Sequence, residues 1–189
     1  GTVYGFTYDG FGRTLSVKIG GRTLSTYTYN ANGLPATLTY GNGTVLTYGY
    51  DSMNRKISQS VNGITRFNYR YDGMSRLSEV IDLALGKTTR YEYDILGRPT
   101  AEKLMDNASK SVLSRIDIRY DDSMNRLAGY DVSVLGNGHS VDYVYNTEDT
   151  VRPDLLMGVK YDGVQRLTYT YDSLNRQTAR NLNGYVTEY

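Results

Sequence analysis

The chain has 189 residues, of which 39% are apolar and 20 are Gly, a balance that fits a folded chain rather than a disordered one. Its 21 basic and 20 acidic side chains nearly cancel, which removes the electrostatic case for nucleic acid or an anionic membrane as partner. With no Cys there is no disulfide, thiolate metal site or Cys nucleophile, and no run of 18 apolar residues could span a bilayer as a helix.

In chain order the dominant signal is a repeat. Tyr followed by Asp or Asn recurs at Tyr8-Asp9, Tyr29-Asn30, Tyr50-Asp51, Tyr71-Asp72, Tyr93-Asp94, Tyr120-Asp121, Tyr145-Asn146 and Tyr171-Asp172, with Tyr spacings of 21, 21, 21, 22, 27, 25 and 26. Tyr161-Asp162 is a different element. The segment around it aligns without gaps on Leu38 to Asp51, which makes Tyr161 the counterpart of Tyr40.

Each unit carries two turns. The first is Asp-x-x-Gly/Asn, usually followed by Arg; its leading side chain caps a type I turn, and a left-handed residue follows three positions later. Gly12, Gly33, Asn54, Gly97, Asn125 (one residue later) and Asn175 are types that tolerate that conformation, whereas Ser75 is expected to be mildly strained. The pattern is lost at Thr147-Glu148-Asp149, where about five extra residues before Leu155 predict a longer loop. The second turn is expected as a two-residue hairpin turn at Gly20-Gly21, Asn42-Gly43, Asn62-Gly63, Asn137-Gly138, Asp162-Gly163 and Asn183-Gly184. Leu85-Gly86 is a weaker version, and Asp106-Asn107 sits in a longer loop.

Between turns lie strands of about seven residues. Tyr-x-Tyr pairs at 27/29, 48/50, 69/71, 91/93, 143/145 and 169/171 place both rings on one face. The spacing predicts an all-β array of about 17 antiparallel strands in hairpin repeats of ~21 residues. Met105 to Ser114 is the one helix candidate, and it is short and polar. A twisted strip of that many strands curls or splits, so a curved or spiralling sheet forming part of a shell or barrel is expected. Gly1-Thr2-Val3 aligns on Gly43-Thr44-Val45, and Tyr189 is the counterpart of Tyr69. Residues 1–189 are therefore expected to be a single array of about eight repeats, a fragment of a longer repeat protein.

Tyr69-Arg70-Tyr71-Asp72-Gly73-Met74-Ser75-Arg76-Leu77 is the clearest copy of the motif, and the copies that end at Lys56 and Gln177 follow it closely. This pattern resembles the RHS or YD repeat over essentially the whole chain, with residues of about 100–160 the most divergent. The resemblance implies a segment of a large secreted or surface bacterial protein, among them toxin-complex and polymorphic-toxin proteins, whose repeats wind into a hollow shell around a toxic domain. It implies as partners the remaining repeats and the cargo domain of a parent chain. No Asp-Pro occurs, so the family's cleavage motif lies outside this sequence.

The alternative is a module that binds carbohydrate or a cell-surface receptor through its Tyr ladder, with Tyr143 and Tyr145 as candidate ligand-binding residues. Cross-strand packing explains so regular a ladder more simply. The turn Asp residues match neither the EF-hand nor the Gly-Gly-x-Gly-x-Asp repeat, so they are expected to cap turns; no metal or cofactor is called for. Arg13, Arg55, Arg76, Arg98, Arg126 and Arg176 are expected to pair with nearby Asp. Asp117, Asp131 and Asp142 are expected on solvated strand faces, since nothing in the sequence brings two of them together as a glycosidase pair. His139, after the Asn137-Gly138 turn, is expected at an exposed tip, and no Gly-x-Ser-x-Gly accompanies it. An enzyme is not expected, and the exposed edge strands leave edge-to-edge self-association open.

Overall fold

The computed structural model describes residues 3–148 and 152–189, so Gly1-Thr2 and the middle of the loop expected after Thr147 lie outside the described residues. The described residues hold seventeen strands and no helix, and neighbouring strands run antiparallel. They form two compact units, Gly1–Thr89 and Arg90–Tyr189. The first contains β1 (Tyr4–Tyr8), β2 (Thr14–Ile19), β3 (Arg22–Tyr29), β4 (Pro35–Tyr40), β5 (Val45–Tyr50), β6 (Lys56–Val61), β7 (Ile64–Tyr71) and β8 (Leu77–Asp82), each paired with the next. Strand β9 (Lys87–Tyr93) crosses the boundary. The second contains β10 (Pro99–Asp106), β11 (Val112–Asp121), β12 (Arg126–Val134), β13 (Asn137–Tyr145), β14 (Leu156–Tyr161), β15 (Val164–Tyr171), β16 (Gln177–Leu182) and β17 (Tyr185–Glu188), again paired in sequence order.

The first turn forms as its residues dictate. In the copy at Asp51, Oδ1 accepts the N–H groups of Met53 (3.0 Å) and Arg55 (2.9 Å), and the Asn54 N–H donates to the Asp51 carbonyl at 3.0 Å. Asn54 sits at φ 63°, and Ser75 holds the same angle in its own turn, the strained position the sequence marks. The extra residue makes a bulge, so register slips at Tyr8, Tyr29, Tyr50 and Tyr71 in the first unit and at Tyr120, Tyr145 and Tyr171 in the second. A bulge bends its strand and increases twist, so each repeat carries its own cause of curvature.

The second turns divide. Gly20-Gly21, Asn62-Gly63, Asp162-Gly163 and Asn183-Gly184 have both residues at positive φ, as a two-residue turn of the twisted kind requires. Two expectations are corrected. At Asn42-Gly43 only Gly43 is left-handed (φ 85°), and the loop is Gly41-Asn42-Gly43, closed by the Tyr40 N–H on the Thr44 carbonyl at 2.8 Å. Asn137-Gly138 is no turn at all. Leu135 (φ 48°) and Gly136 (φ 88°) make it, and Asn137 and Gly138 open β13. Tertiary register decides the point: the Leu135 N–H donates to the Leu113 carbonyl at 2.9 Å, and Gly129 falls between Arg119 and Asp142. The helix candidate from Met105 is instead the end of β10, a loop with Lys110 at φ 61°, and the start of β11.

Among the described residues no second layer covers either sheet face within a unit. Ala101, 1% exposed, is the buried apolar side chain among the described residues, and the aromatic rows are only half-buried. Side chains alternate in their exposure, as along β15, where Leu167, Tyr169 and Tyr171 are half-buried and Thr168 and Thr170 exposed. Stability in such a sheet rests on what ties each hairpin to its neighbour.

Candidate functional site

Those ties recur on both rims. On the first-turn rim, the phenols of six motif Tyr residues donate to a carbonyl at or next to the start of the preceding even-numbered strand. Tyr29 bonds Thr14 (2.8 Å), Tyr50 bonds Pro35 (2.9 Å) and Tyr71 bonds Lys56 (2.8 Å) in the first unit. Tyr120 bonds Pro99 (2.9 Å), Tyr145 bonds Leu127 (2.7 Å) and Tyr171 bonds Leu156 (2.7 Å) in the second. On the opposite rim, the N–H of a second turn's first residue extends the ladder to the preceding strand by one bond: Gly20 to Val3, Gly41 to Leu24, Asn62 to Val45, Leu83 to Arg66 and Asn183 to Arg166. Among the described residues, neighbouring strands are thus tied at alternate rims, by a phenol on one and by a backbone N–H on the other.

Four of the first-rim joints are charged. Arg13 pairs with Asp9, Arg55 with Asp51, Arg98 with Asp94 and Arg126 with Asp121, at 2.6 to 2.9 Å. The same guanidinium lies on the next repeat's ring: Arg13 on Tyr29 (4.4 Å to the centroid), Arg55 on Tyr71 (4.7 Å), Arg98 on Tyr120 (4.3 Å) and Arg126 on Tyr145 (3.9 Å). The expected Arg–Asp pairing also holds at Arg76–Asp72 and Arg176–Asp172. The Arg55 N–H first, and then its guanidinium and the Met53 N–H, outweigh burial and hold the Asp51 carboxyl below its ordinary value. At Tyr71 burial raises the phenol, while the Arg55 guanidinium opposes it.

Two joints are neutral. Asn30 and Leu34 replace the pair under Tyr50, and Asn146 and Leu155 replace it under Tyr171. Asp and Arg are lost together because the turn needs only an oxygen: Asn30 Oδ1 still accepts Asn32 and Leu34 N–H at 3.0 Å. A carboxylate without its guanidinium would add charge and no bond.

The sequence candidates fall as follows. Tyr145 is half-buried under Arg126 with its phenol committed to Leu127. Tyr143 is half-buried opposite Val159, and burial, then Tyr130 and Tyr145, push its phenol up. The expectation that Asp117, Asp131 and Asp142 stand apart is corrected. Asp117 and Asp131 are direct cross-strand partners, and Arg119 bridges Asp131 (2.9 Å) and Asp142 (2.8 Å). Arg115 grips Asp117 through two nitrogens, which offsets the like-charge pairing. Gly129 makes the bridge possible, since a Cβ there would lie 2.2 Å from the Val141 carbonyl oxygen and 3.0 Å from the Arg119 guanidinium. Beside this network a depression of about 340 Å³ is lined by Asp117, Asp131, Ser133, Ser140, His139 and Asp162. His139 is also corrected: it lies within β13 opposite Val132, stacks on Tyr161 at 5.3 Å, and its Nδ1 is 2.7 Å from Asp162 Oδ2. No group of three or more His, Asp or Glu residues among the described residues is placed to hold a metal ion.

Sequence reasoning missed the joint itself. It read the Arg as an intraturn partner and the Tyr as packing, and did not connect them. The signal was present, since Arg13 to Tyr29 and Arg55 to Tyr71 are both 16 residues apart.

Comparison with known proteins gives the same reading. The RHS Repeat family model matches residues 29–65. The fold is similar to a segment of the Photorhabdus luminescens Tc holotoxin pore (TM-score 0.69, 15% identity), covering 90% of this chain and 10% of that one. It is likewise similar to part of TcdB2-TccC3 (TM-score 0.60, 15% identity), covering 92% of this chain and 9% of that one. No curated protein matches the chain. The chain spans about a tenth of the solved chains it resembles. The chain is an array of strand repeats in which residues 29–65 match the RHS Repeat model that the Tyr-Asp spacing resembles.

Proposed function

We propose that this segment is a piece of shell wall that encloses or displays a toxin or effector domain of its own parent chain, in a secreted or cell-surface bacterial protein. Residues 1–189 then form one array of about eight repeats within a longer one, and the neighbours of the end strands are further repeats. The observation that carries the proposal is the pair of stapled rims on single-layer sheets. Neighbouring strands are bonded at the rims by phenols and backbone N–H groups, yet among the described residues no second layer covers the aromatic face within a unit. Such a sheet resists unfolding from its rims and still has a face to be covered. The mechanism is containment and involves no bond-making chemistry.

The test is limited proteolysis of the full-length parent protein across a denaturant series. Containment predicts that the non-repeat domain is cut only where the repeats unfold. Cleavage of that domain at full rate beneath intact repeats overturns it. The alternative, a carbohydrate- or receptor-binding module using Tyr143 and Tyr145, predicts that Tyr143→Ala abolishes glycan binding at unchanged stability. Loss of stability without a binding loss removes that reading.

A further inference from the structure

We infer that the β4–β5 pairing is a built-in opening seam, the place where the first unit parts before any other internal hairpin. Four observations coincide there. The joint across it, Tyr50 on Pro35, is the one described joint of that unit without an Asp–Arg pair or a guanidinium on its ring; Tyr29 and Tyr71 on either side have both. The β4–β5 ladder is short, running from Thr37–Thr47 to Thr39–Val45, whereas β5–β6 runs from Leu46–Val61 to Tyr50–Lys56. Its connection is the three-residue Gly41-Asn42-Gly43 loop, where β2–β3 and β6–β7 have two-residue turns. A cavity of about 280 Å³ lined by Tyr27, Pro35, Leu38, Tyr48, Tyr50 and Lys56 opens on the aromatic face at the same place. Rings facing a void lose the contacts that would resist separation.

A short ladder, an uncharged joint and a depression beside the rings need not fall together; a seam requires that they do. Local opening takes place where few packed contacts protect the backbone bonds. Opening here divides the unit into β1–β4 and β5–β8 and leaves the charged joints over Tyr29 and Tyr71 intact. Pro35 contributes as well: its ring has no N–H, so its carbonyl is its only backbone bonding group at the seam.

Hydrogen–deuterium exchange of the intact chain tests the seam. Peptides covering residues 36–48 are expected to exchange about tenfold faster than those covering β2–β3 or β6–β7. Equal rates, or a faster internal boundary elsewhere in β2–β8, overturn the inference. The double substitution Asn30→Asp with Leu34→Arg installs the missing pair and is expected to slow exchange at 36–48 several-fold while leaving β6–β7 unchanged. No slowing, or equal slowing at both places, overturns the role of the joint. Should that variant fail to fold, Tyr50→Phe serves instead: removing the phenol is expected to speed exchange at 36–48 selectively, and an unchanged rate counts against the seam.

Discussion

Tyr71 and Tyr50 occupy the same place in successive hairpins and are held in different ways. Each donates its phenol to a carbonyl at the start of the neighbouring strand, Lys56 at 2.8 Å and Pro35 at 2.9 Å. Tyr71 also lies under Arg55, which Asp51 holds in place; at the joint of Tyr50 the corresponding positions are Asn30 and Leu34. The backbone of the two turns is nonetheless the same, with a side-chain oxygen capping two N–H groups and a left-handed residue at Asn54 or Gly33. Turn and joint are therefore separable devices. An amide suffices to build the turn, and charge is needed only to aim an Arg at the next ring.

That separation can be broken most forcefully by removing the rings. Tyr71→Ala should cost about 2–4 kcal/mol in denaturant unfolding, and Tyr50→Ala measurably less, because only the first also strips a guanidinium of its ring. Equal losses would mean that the cation contributes nothing. Tyr71→Phe and Tyr50→Phe remove just the phenol. Each should cost about 0.5–1.5 kcal/mol, and the two should agree, since the bond they lose is the same. A cost confined to Tyr71 would show that the carbonyl staple depends on the Arg above it. Gly129→Ala probes the other unit. The added Cβ meets the Val141 carbonyl oxygen at 2.2 Å, so β12 and β13 must separate locally, and the thermal midpoint should fall by several degrees.

Much of this was legible in the sequence because it is local. Asp-x-x-Gly-Arg fixes a turn, Asn-Gly fixes another, and Tyr-x-Tyr fixes a face; these sufficed for seventeen strands and for the Ser75 strain. What escaped was decided between strands. Asn137-Gly138 has better turn chemistry than Leu135-Gly136, yet the register that sets Gly129 between Arg119 and Asp142 selects the latter. Asp117 and Asp131 are 14 residues apart in sequence and meet only once that register is known. The joints were half legible: the Arg and the Tyr were each noticed, but they meet only once neighbouring strands pair, which propensity does not see.

The smallest expected effect is also the one that bears most directly on the charge. The carboxyls of Asp51, Asp72 and Asp172 are held below their ordinary value, in each case foremost by the backbone N–H of the Arg four residues on. A carboxyl whose folded value is depressed stabilises the fold above its unfolded value, ~3.9, and that stabilisation is lost as pH falls through the folded value. Asp51→Asn should therefore flatten the fall of the thermal midpoint between about pH 5 and 2, since the amide keeps the turn and does not titrate. Restoring the acid at the neutral joint by Asn30→Asp alone should steepen the fall only slightly, because Leu34 supplies the backbone N–H but no guanidinium. Added salt distinguishes the remaining contribution. At 1 M the screening length shrinks to about 3 Å, so Asp51→Asn and the parent should converge at neutral pH if the exposed part of the pair acts through the field. A difference that persists in salt would assign the effect to the short bonded contact of Asp51 with Arg55 at 2.8 Å, which holds the guanidinium over Tyr71 whatever the screening.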